Sequence, residues 1–297
     1  MRLVLAFVGV VLIWTTTPLG IKWSSVGVSF IFGVTARMSI GLFCLLIMML
    51  LTRTRLRLDK AALITYVAVS IQVYASMLLT YWGAQFIPSG WLSVIFGLSP
   101  FMTAFMAAAV LKEQSLGIGK ILSYLIGVTG LAVMFSSAFD LDLQAAVGMV
   151  TILVATFLHA ISAIWVKKIH AQLPAMAQIT GGLLLSLPLY FVTWYWLDQA
   201  QLPDMPTEQT IWAILYLGLI ATPIGFALYY YVLARLPATN VAMINLMTPV
   251  LSLILGYFAN QEALTTKVLV GTGLIMLALG LHSWLERRQS ANLQQSD

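Results

Sequence analysis

The sequence predicts an all-α, polytopic membrane protein, with ten transmembrane helices in two inverted five-helix repeats around a central cavity. Three observations carry that expectation. Hydrophobic residues make up 61% of the chain and charged residues only 8%, against about 25% charged in an ordinary soluble domain. A surface so poor in charge is solvated by lipid. The apolar residues also fall into ten runs of membrane-crossing length. Finally, the chain repeats itself. Pro88, Pro100 and Glu113 lie in PSGWLSVIFGLSPFMTAFMAAAVLKE, and Pro237, Pro249 and Glu262 lie in PATNVAMINLMTPVLSLILGYFANQE. In both copies the intervals are 12 and 13 residues, and the copies are offset by 149. A fixed period of this kind sets the architecture.

A span needs about 20 mostly apolar residues to cross about 30 Å of hydrocarbon. The first run, 3–23, follows Arg2 in the manner of a secretory leader. No small-x-small cleavage site follows; the run continues as TTTPLGIKW, so a retained helix is expected. The second, 30–52, contains Arg37 and the single cysteine, Cys44, which offers no disulfide framework or metal motif. The third, 62–84, follows the basic loop Arg53–Lys60 and carries Gln72, Ser76 and Tyr81-Trp82. The fourth, 89–111, holds the first proline motif, and the fifth, 118–137, is glycine-rich. The second half follows the same plan in 147–167, 175–197, 209–233, 239–260 and 265–285. The expected division is therefore a first repeat over 1–137, a periplasmic connector over 138–146, a second repeat over 147–285 and a cytoplasmic tail over 286–297.

Charge asymmetry orients the bundle. With the N-terminus inside, the inner connectors hold Arg2, Arg53, Arg55, Arg57, Lys60, Lys112, Lys120, Lys167, Lys168, Arg235, Arg287 and Arg288. The outer ones hold only Lys22 and Lys267, along with Asp140, Asp142, Asp198, Asp204, Glu208 and Glu262. Basic residues in short loops stay on the cytoplasmic side, so both termini are expected there, in the inner membrane of a bacterium. Five spans per repeat is an odd number. The second repeat must therefore enter from the opposite face, which relates the halves by a pseudo-two-fold axis in the membrane plane.

The doubled motif also resembles a known family. A mid-helix proline, a glutamate 13 residues later and a glycine-rich helix occur in SPFMTAFMAAAVLKEQSLGIGKILSYLIGVTG and TPVLSLILGYFANQEALTTKVLVGTGLIMLALG. This is similar to the EamA repeat of the drug/metabolite transporter superfamily. The opening IWTTTPLGIKW resembles that family's first helix. In its counterpart HAISAIWVKK, Lys167 replaces Lys22 and His159 replaces Trp14. Arg37 matches an arginine often found in the family's second helix. The resemblance implies ten helices in two bundles and export of small metabolites, often amino acids.

Several residues are costly at membrane depth. Arg37 has no acidic neighbour in sequence, and a charge there costs at least about 2.5 kcal/mol on insertion scales. Gly33 and Gly41 share its face, so it points into the bundle. It either receives a substrate carboxylate or ties to backbone carbonyls or lipid phosphate. His159 has an imidazole that ordinarily titrates near neutral pH. It serves either as a proton-sensitive group or as a neutral partner of a nearby hydroxyl. Pro100 and Pro249 each free a carbonyl one turn earlier. Freed carbonyls and polar groups are tolerated at this depth only against protein or a water-filled space. Ser93, Ser99, Pro100, Asn245, Thr248, Pro249 and Ser252 are therefore expected to line the cavity or pack against neighbouring helices.

Trp14 sits at the centre of its helix and Tyr229 shares a face with Gly225, Gly218 and Thr222, suiting an amphipathic solute or ordinary packing. Gln72, Ser76 and Tyr81 add polar groups. Trp23, Trp194, Trp196, Trp212 and Trp284 are expected in the interfacial belts. Glu113 and Glu262 are expected to cap helix ends and pair with Lys112, Lys120 or Lys267.

These features favour a secondary transporter for a small-molecule solute, embedded in the bilayer, without a cofactor or metal. The same fold would serve an uptake permease. A membrane enzyme acting on a lipid-linked substrate would need a carboxylate cluster or a nucleophile–base pair near an interface. A channel would need an oligomeric axis or a charged ring. No GxxxxGK[ST] motif provides for ATP, and the basic residues lie between spans rather than in a nucleic-acid-binding patch. The sequence leaves the oligomeric state open and is compatible with a monomer.

Overall fold

The computed structural model describes residues 2–110, 118–233, 235 and 238–294. Lys112, Glu113 and Pro237 lie outside them. Among the described residues the regular structure is entirely helical. Among the described residues, nine helices are long and apolar enough to cross a membrane, and a shorter apolar stretch, Ile244–Asn260, continues a helix that begins at Ala238. The spans run in order Arg2–Trp23, Phe30–Leu51, Lys60–Ala84, Ser89–Val110, Ile118–Leu141, Leu143–Ile169, Ala175–Asp198, 208–233, Ala238–Asn260 and Thr266–Gln294. Successive spans alternate in direction, so both termini lie at one end of the bundle.

Local chemistry sets the helix boundaries. The second span begins where Ser29 Oγ accepts from Phe32 N, and the eighth where Thr207 Oγ1 accepts from Thr210 N. The fifth and sixth spans meet across Asp142 alone, whose carboxylate accepts from Ala145 N at 2.6 Å. The stretch 138–146, expected as a connector, is therefore helical on both sides of Asp142. The tenth span likewise continues through the stretch expected as a tail, to Gln294.

Among the described residues, three interruptions occur inside spans. The third is wound as π-helix over Ile71–Ser76 and the eighth over Leu217–Ala221. The halves thus break their third helices at matching places. Single π-turns inside α-helices frequently occur at functional sites. The fourth span is not merely kinked at Pro100 but broken, with Gly97 and Leu98 between helices Ser89–Phe96 and Ser99–Val110. Pro100 has no N–H to continue the ladder. In the ninth span, by contrast, the helix passes through Pro249 unbroken.

The core lies where the halves meet. Trp91, Tyr81, Tyr190 and Leu183 are almost wholly buried there. Trp194, expected in an interfacial belt, also belongs to this core: it is 9% exposed and its ring packs 5.6 Å from Phe32. Its position one turn from a span end suggested the surface, but the face it occupies turns toward the second span. Trp196 and Trp212, on outward faces, remain exposed.

Candidate functional site

The sequence-predicted site residues separate into two groups. Arg37, Tyr81, Thr248 and Pro249 are buried. Trp14, Gln72, Ser99, Pro100, His159, Tyr229 and Asn245 are part-exposed. The partial exposure of the second group is not contact with lipid. Leu12, Phe157 and Met247 are exposed on the outer faces of their helices. Trp14, His159 and Asn245 follow them by two residues, about 200° around a helix. They therefore lie on the opposite, protein-facing sides of those helices.

Contacts give the neighbours of several of these residues. Ser76 Oγ donates to Ala155 O at 2.8 Å, registering the third span against the antiparallel sixth. One turn toward the termini from that bond lie Gln72 and His159, at the same level. The π-helical turn in the third span carries Gln72. His159 packs edge-on against Phe96, with ring centroids 6.2 Å apart, just before the break in the fourth span. Across that break, a Cβ added to Gly97 would lie 3.5 Å from Pro249 Cγ. Asn245 is one turn further toward the termini. Trp14 and Tyr229 pair with each other, ring centroids 4.8 Å apart, in a cluster with Val10, Val11 and Val232.

The side-chain amides of Gln72 and Asn245 make no hydrogen bond to the described protein. His159 Nδ1 is buried without a hydrogen-bond partner. Buried polar groups are ordinarily satisfied by protein or water. Two amides, an imidazole and three aromatic faces can hold a small amphipathic solute by hydrogen bonding and stacking.

Arg37 has a different setting. Nε donates to Thr222 Oγ1 at 3.3 Å, and an Nη lies 3.5 Å from Tyr81 OH. Thr222 Oγ1 in turn donates to Leu217 O at 2.9 Å, inside the π-helical turn of the eighth span. The other half has a counterpart. Tyr190, in the seventh span, donates to Val73 O at 2.7 Å, inside the π-helical turn of the third. The second helix of each repeat thus braces the interrupted third helix of the other.

Sequence reasoning missed both π-helical turns and the Tyr190 brace. Composition carries no signal for an extra residue wound into a helix. The Ser93–Ser252 bond, 2.8 Å long across the repeats, was foreshadowed only in that both serines lie on the proline faces. Glu262 does cap a helix, but the helix belongs to the other repeat: it accepts from Ser89 N at 2.8 Å and Gly90 N at 3.2 Å. Glu113 lies outside the described residues. Two surface grooves, of about 350 and 480 Å³, do not coincide with the ring; Leu78 and Trp82 line one, Met106 and Trp165 the other.

Comparison with known proteins agrees with this architecture. Residues 1–136 and 146–284 match the EamA-like transporter family. The chain is 23% identical over 291 residues to the uncharacterized transporter YoaV of Bacillus subtilis (strain 168), covering 97% of this chain and 99% of that one. It is 27% identical over 199 residues to a probable amino-acid metabolite efflux pump of Escherichia coli (strain K12), covering 65% and 66% of the two chains. A solved crystal structure superimposes with a TM-score of 0.68 at 16% identity, covering 97% of this chain and 99% of the other.

Proposed function

Because the chain belongs to the EamA-like transporter family, we propose that it exports small organic metabolites, amino acids or related compounds, across a bacterial inner membrane by alternating access. What supports this reading is that Trp14, Gln72, His159, Tyr229 and Asn245, beside Ser99-Pro100, are part-exposed within the spans, which we read as the lining of a shared solute site. A site at the meeting of two inverted halves is where a secondary transporter holds its solute. Open amides and aromatic faces suit a solute with a polar head and an apolar body. Solute enters from the end of the bundle that carries the termini, which the basic connectors assign to the cytoplasm.

Export rather than uptake follows from the name of the Escherichia coli relative, a probable efflux pump. A membrane enzyme would need reacting groups near an interface, whereas the open polar groups here lie at mid-depth.

The test is a counterflow screen in proteoliposomes with amino acids and related metabolites. At least one preloaded solute should drive uptake of its labelled counterpart, and Asn245→Ala should abolish the signal. Flux that survives in Asn245→Ala, Gln72→Ala and Trp14→Ala alike would place the pathway elsewhere. A reporter after Asp297 and cysteine labelling beside Asp204 should report opposite faces of the membrane.

A further inference from the structure

At the end of the bundle that carries the termini, an apolar groove of about 480 Å³ opens on the outer surface. Its walls come from three spans: Ile64 of the third, Met106 of the fourth, and Ile161 and Trp165 of the sixth. The third span and Ser99–Val110, the second half of the fourth, each pack on the sixth, so the groove lies over the sixth and between the other two. Of the side chains in Ser99–Val110 only Phe101 is buried. The groove therefore runs beside a half-span with little protein around it.

Two lysines stand at its mouth. Lys168 lines the groove itself, and Lys60 begins the third span one turn before Ile64, on the same face. Both are exposed, and neither makes a hydrogen bond or an ion pair with the described protein. The acidic side chain beside Lys60, Asp59, is paired with Arg57 at 2.8 Å. The two ammonium groups belong to helix ends, where hydrocarbon gives way to lipid headgroups. Trp165 is 38% exposed and lies one turn inside Lys168, the depth at which tryptophan settles in a membrane interface. From Lys168 the groove descends to Ile161, about 10 Å along the helix axis.

We propose that this groove seats one anionic phospholipid of the leaflet on the side of the termini, with its phosphate between Lys60 and Lys168 and the upper part of one acyl chain along Ile64, Met106 and Ile161. The arrangement of chemistry selects this occupant. An apolar helix would fill the walls but leave two ammonium groups at headgroup level without a counter-charge. A zwitterionic lipid brings a cation of its own to the same place. An anionic lipid supplies the apolar chain and the net negative charge in the order in which the groove presents their partners, and basic side chains at the membrane surface attract anionic lipid. Two lysines on one headgroup distinguish this lipid from those that merely surround the bundle. The bound chain also fills the space beside Ser99–Val110 and so supports that half-span against the sixth. None of this depends on which solute is carried or in which direction.

The test reads lipid contact at Trp165. The full-length protein is reconstituted in mixtures of phosphatidylcholine and phosphatidylglycerol, with bromine on the acyl chains of one lipid or the other. Bromine quenches tryptophan on contact, and the difference between the parent and Trp165→Phe isolates the groove. Phosphatidylglycerol should quench Trp165 with an apparent affinity about fivefold or more above that of phosphatidylcholine. Lys60→Gln combined with Lys168→Gln should bring that preference close to one. Arg53→Gln combined with Arg55→Gln, which removes two exposed charges from the same end, should leave it near the parent value. Ile161→Phe, which fills the groove and keeps both lysines, should also abolish the preference; should it fail to fold, the surface lysine variants carry the same result. Quenching in proportion to mole fraction overturns the proposal, as does a preference that survives loss of both lysines or falls equally with Arg53 and Arg55. A Trp165 shielded from both lipids, as a second copy of the chain over the groove would shield it, overturns it too.

Discussion

Ser93 donates to Ser252 at 2.8 Å, and Ser252 donates to the carbonyl of Thr15 at 2.9 Å. This short chain of hydroxyls joins the first, fourth and ninth spans, and so both repeats, one turn from the central ring. Both serines are buried. Ser252→Ala should leave the Ser93 hydroxyl without its acceptor and cost about 1–2 kcal/mol. The double Ser93→Ala, Ser252→Ala variant should cost less than the sum of the two singles, because neither hydroxyl is then stranded. Thermal unfolding in detergent measures all three. Strict additivity would show that the two hydroxyls act independently.

Arg37 reaches Thr222 and Tyr81 from one planar fork, with Nε and Nη serving different spans. A lysine keeps the charge but presents a single point on a flexible stem. Arg37→Lys should therefore lower stability by about 2 kcal/mol and leave the KM of a transported solute close to the parent value. A raised KM with unchanged Tm would mean that the guanidinium holds solute instead.

The break at Gly97-Leu98 lies beside Pro249, one turn from Asn245, whose side-chain amide makes no hydrogen bond to the described protein. Pro100→Ala should restore the missing N–H, favour a continuous fourth span and reduce counterflow about tenfold or more, while the protein still purifies as a folded species. Asn245→Ala should act in the same direction without altering helix content. Circular dichroism and counterflow on the same preparations separate the two effects. Parent-like flux in both variants would move the cavity to other faces.

His159 is the membrane-centre histidine, and no Asp or Glu lies mid-span. Exchange of solute should therefore proceed in proteoliposomes with equal pH on both sides. Any response to an imposed gradient should disappear in His159→Gln, which keeps polarity and approximate size but does not titrate. A strict gradient requirement that persists in His159→Gln would falsify this assignment and direct attention to Glu113 and Glu262.

Residues far apart in sequence show how far reading the chain can go. The pairing of Glu262 with a helix N-terminus was legible as chemistry, because a carboxylate at a span end after a repeated interval has a capping role. The helix it caps was not legible, since Ser89 is 173 residues away and only the packing of the halves brings them together. Trp194 shows the same limit in reverse. Its distance from a span end was readable, but the face it turns inward depends on where the second span lies.

Periodicity, composition and charge determined that the chain crosses the membrane repeatedly, in two copies of one plan with opposite insertion. Those properties are local or additive: each span must satisfy the bilayer by itself, and each loop charge acts on its own side. Tertiary structure decided what depends on relative placement. It wound π-helical turns into the third and eighth spans, broke the fourth at Gly97-Leu98 while leaving the ninth continuous, and engaged Arg37 with Thr222 and Tyr81. It also set Glu262 on the start of the helix that opens at Ser89. The two proline motifs share their spacing, but the first has Gly97 where the second has Leu246, and only the span of the first motif is broken beside its neighbours.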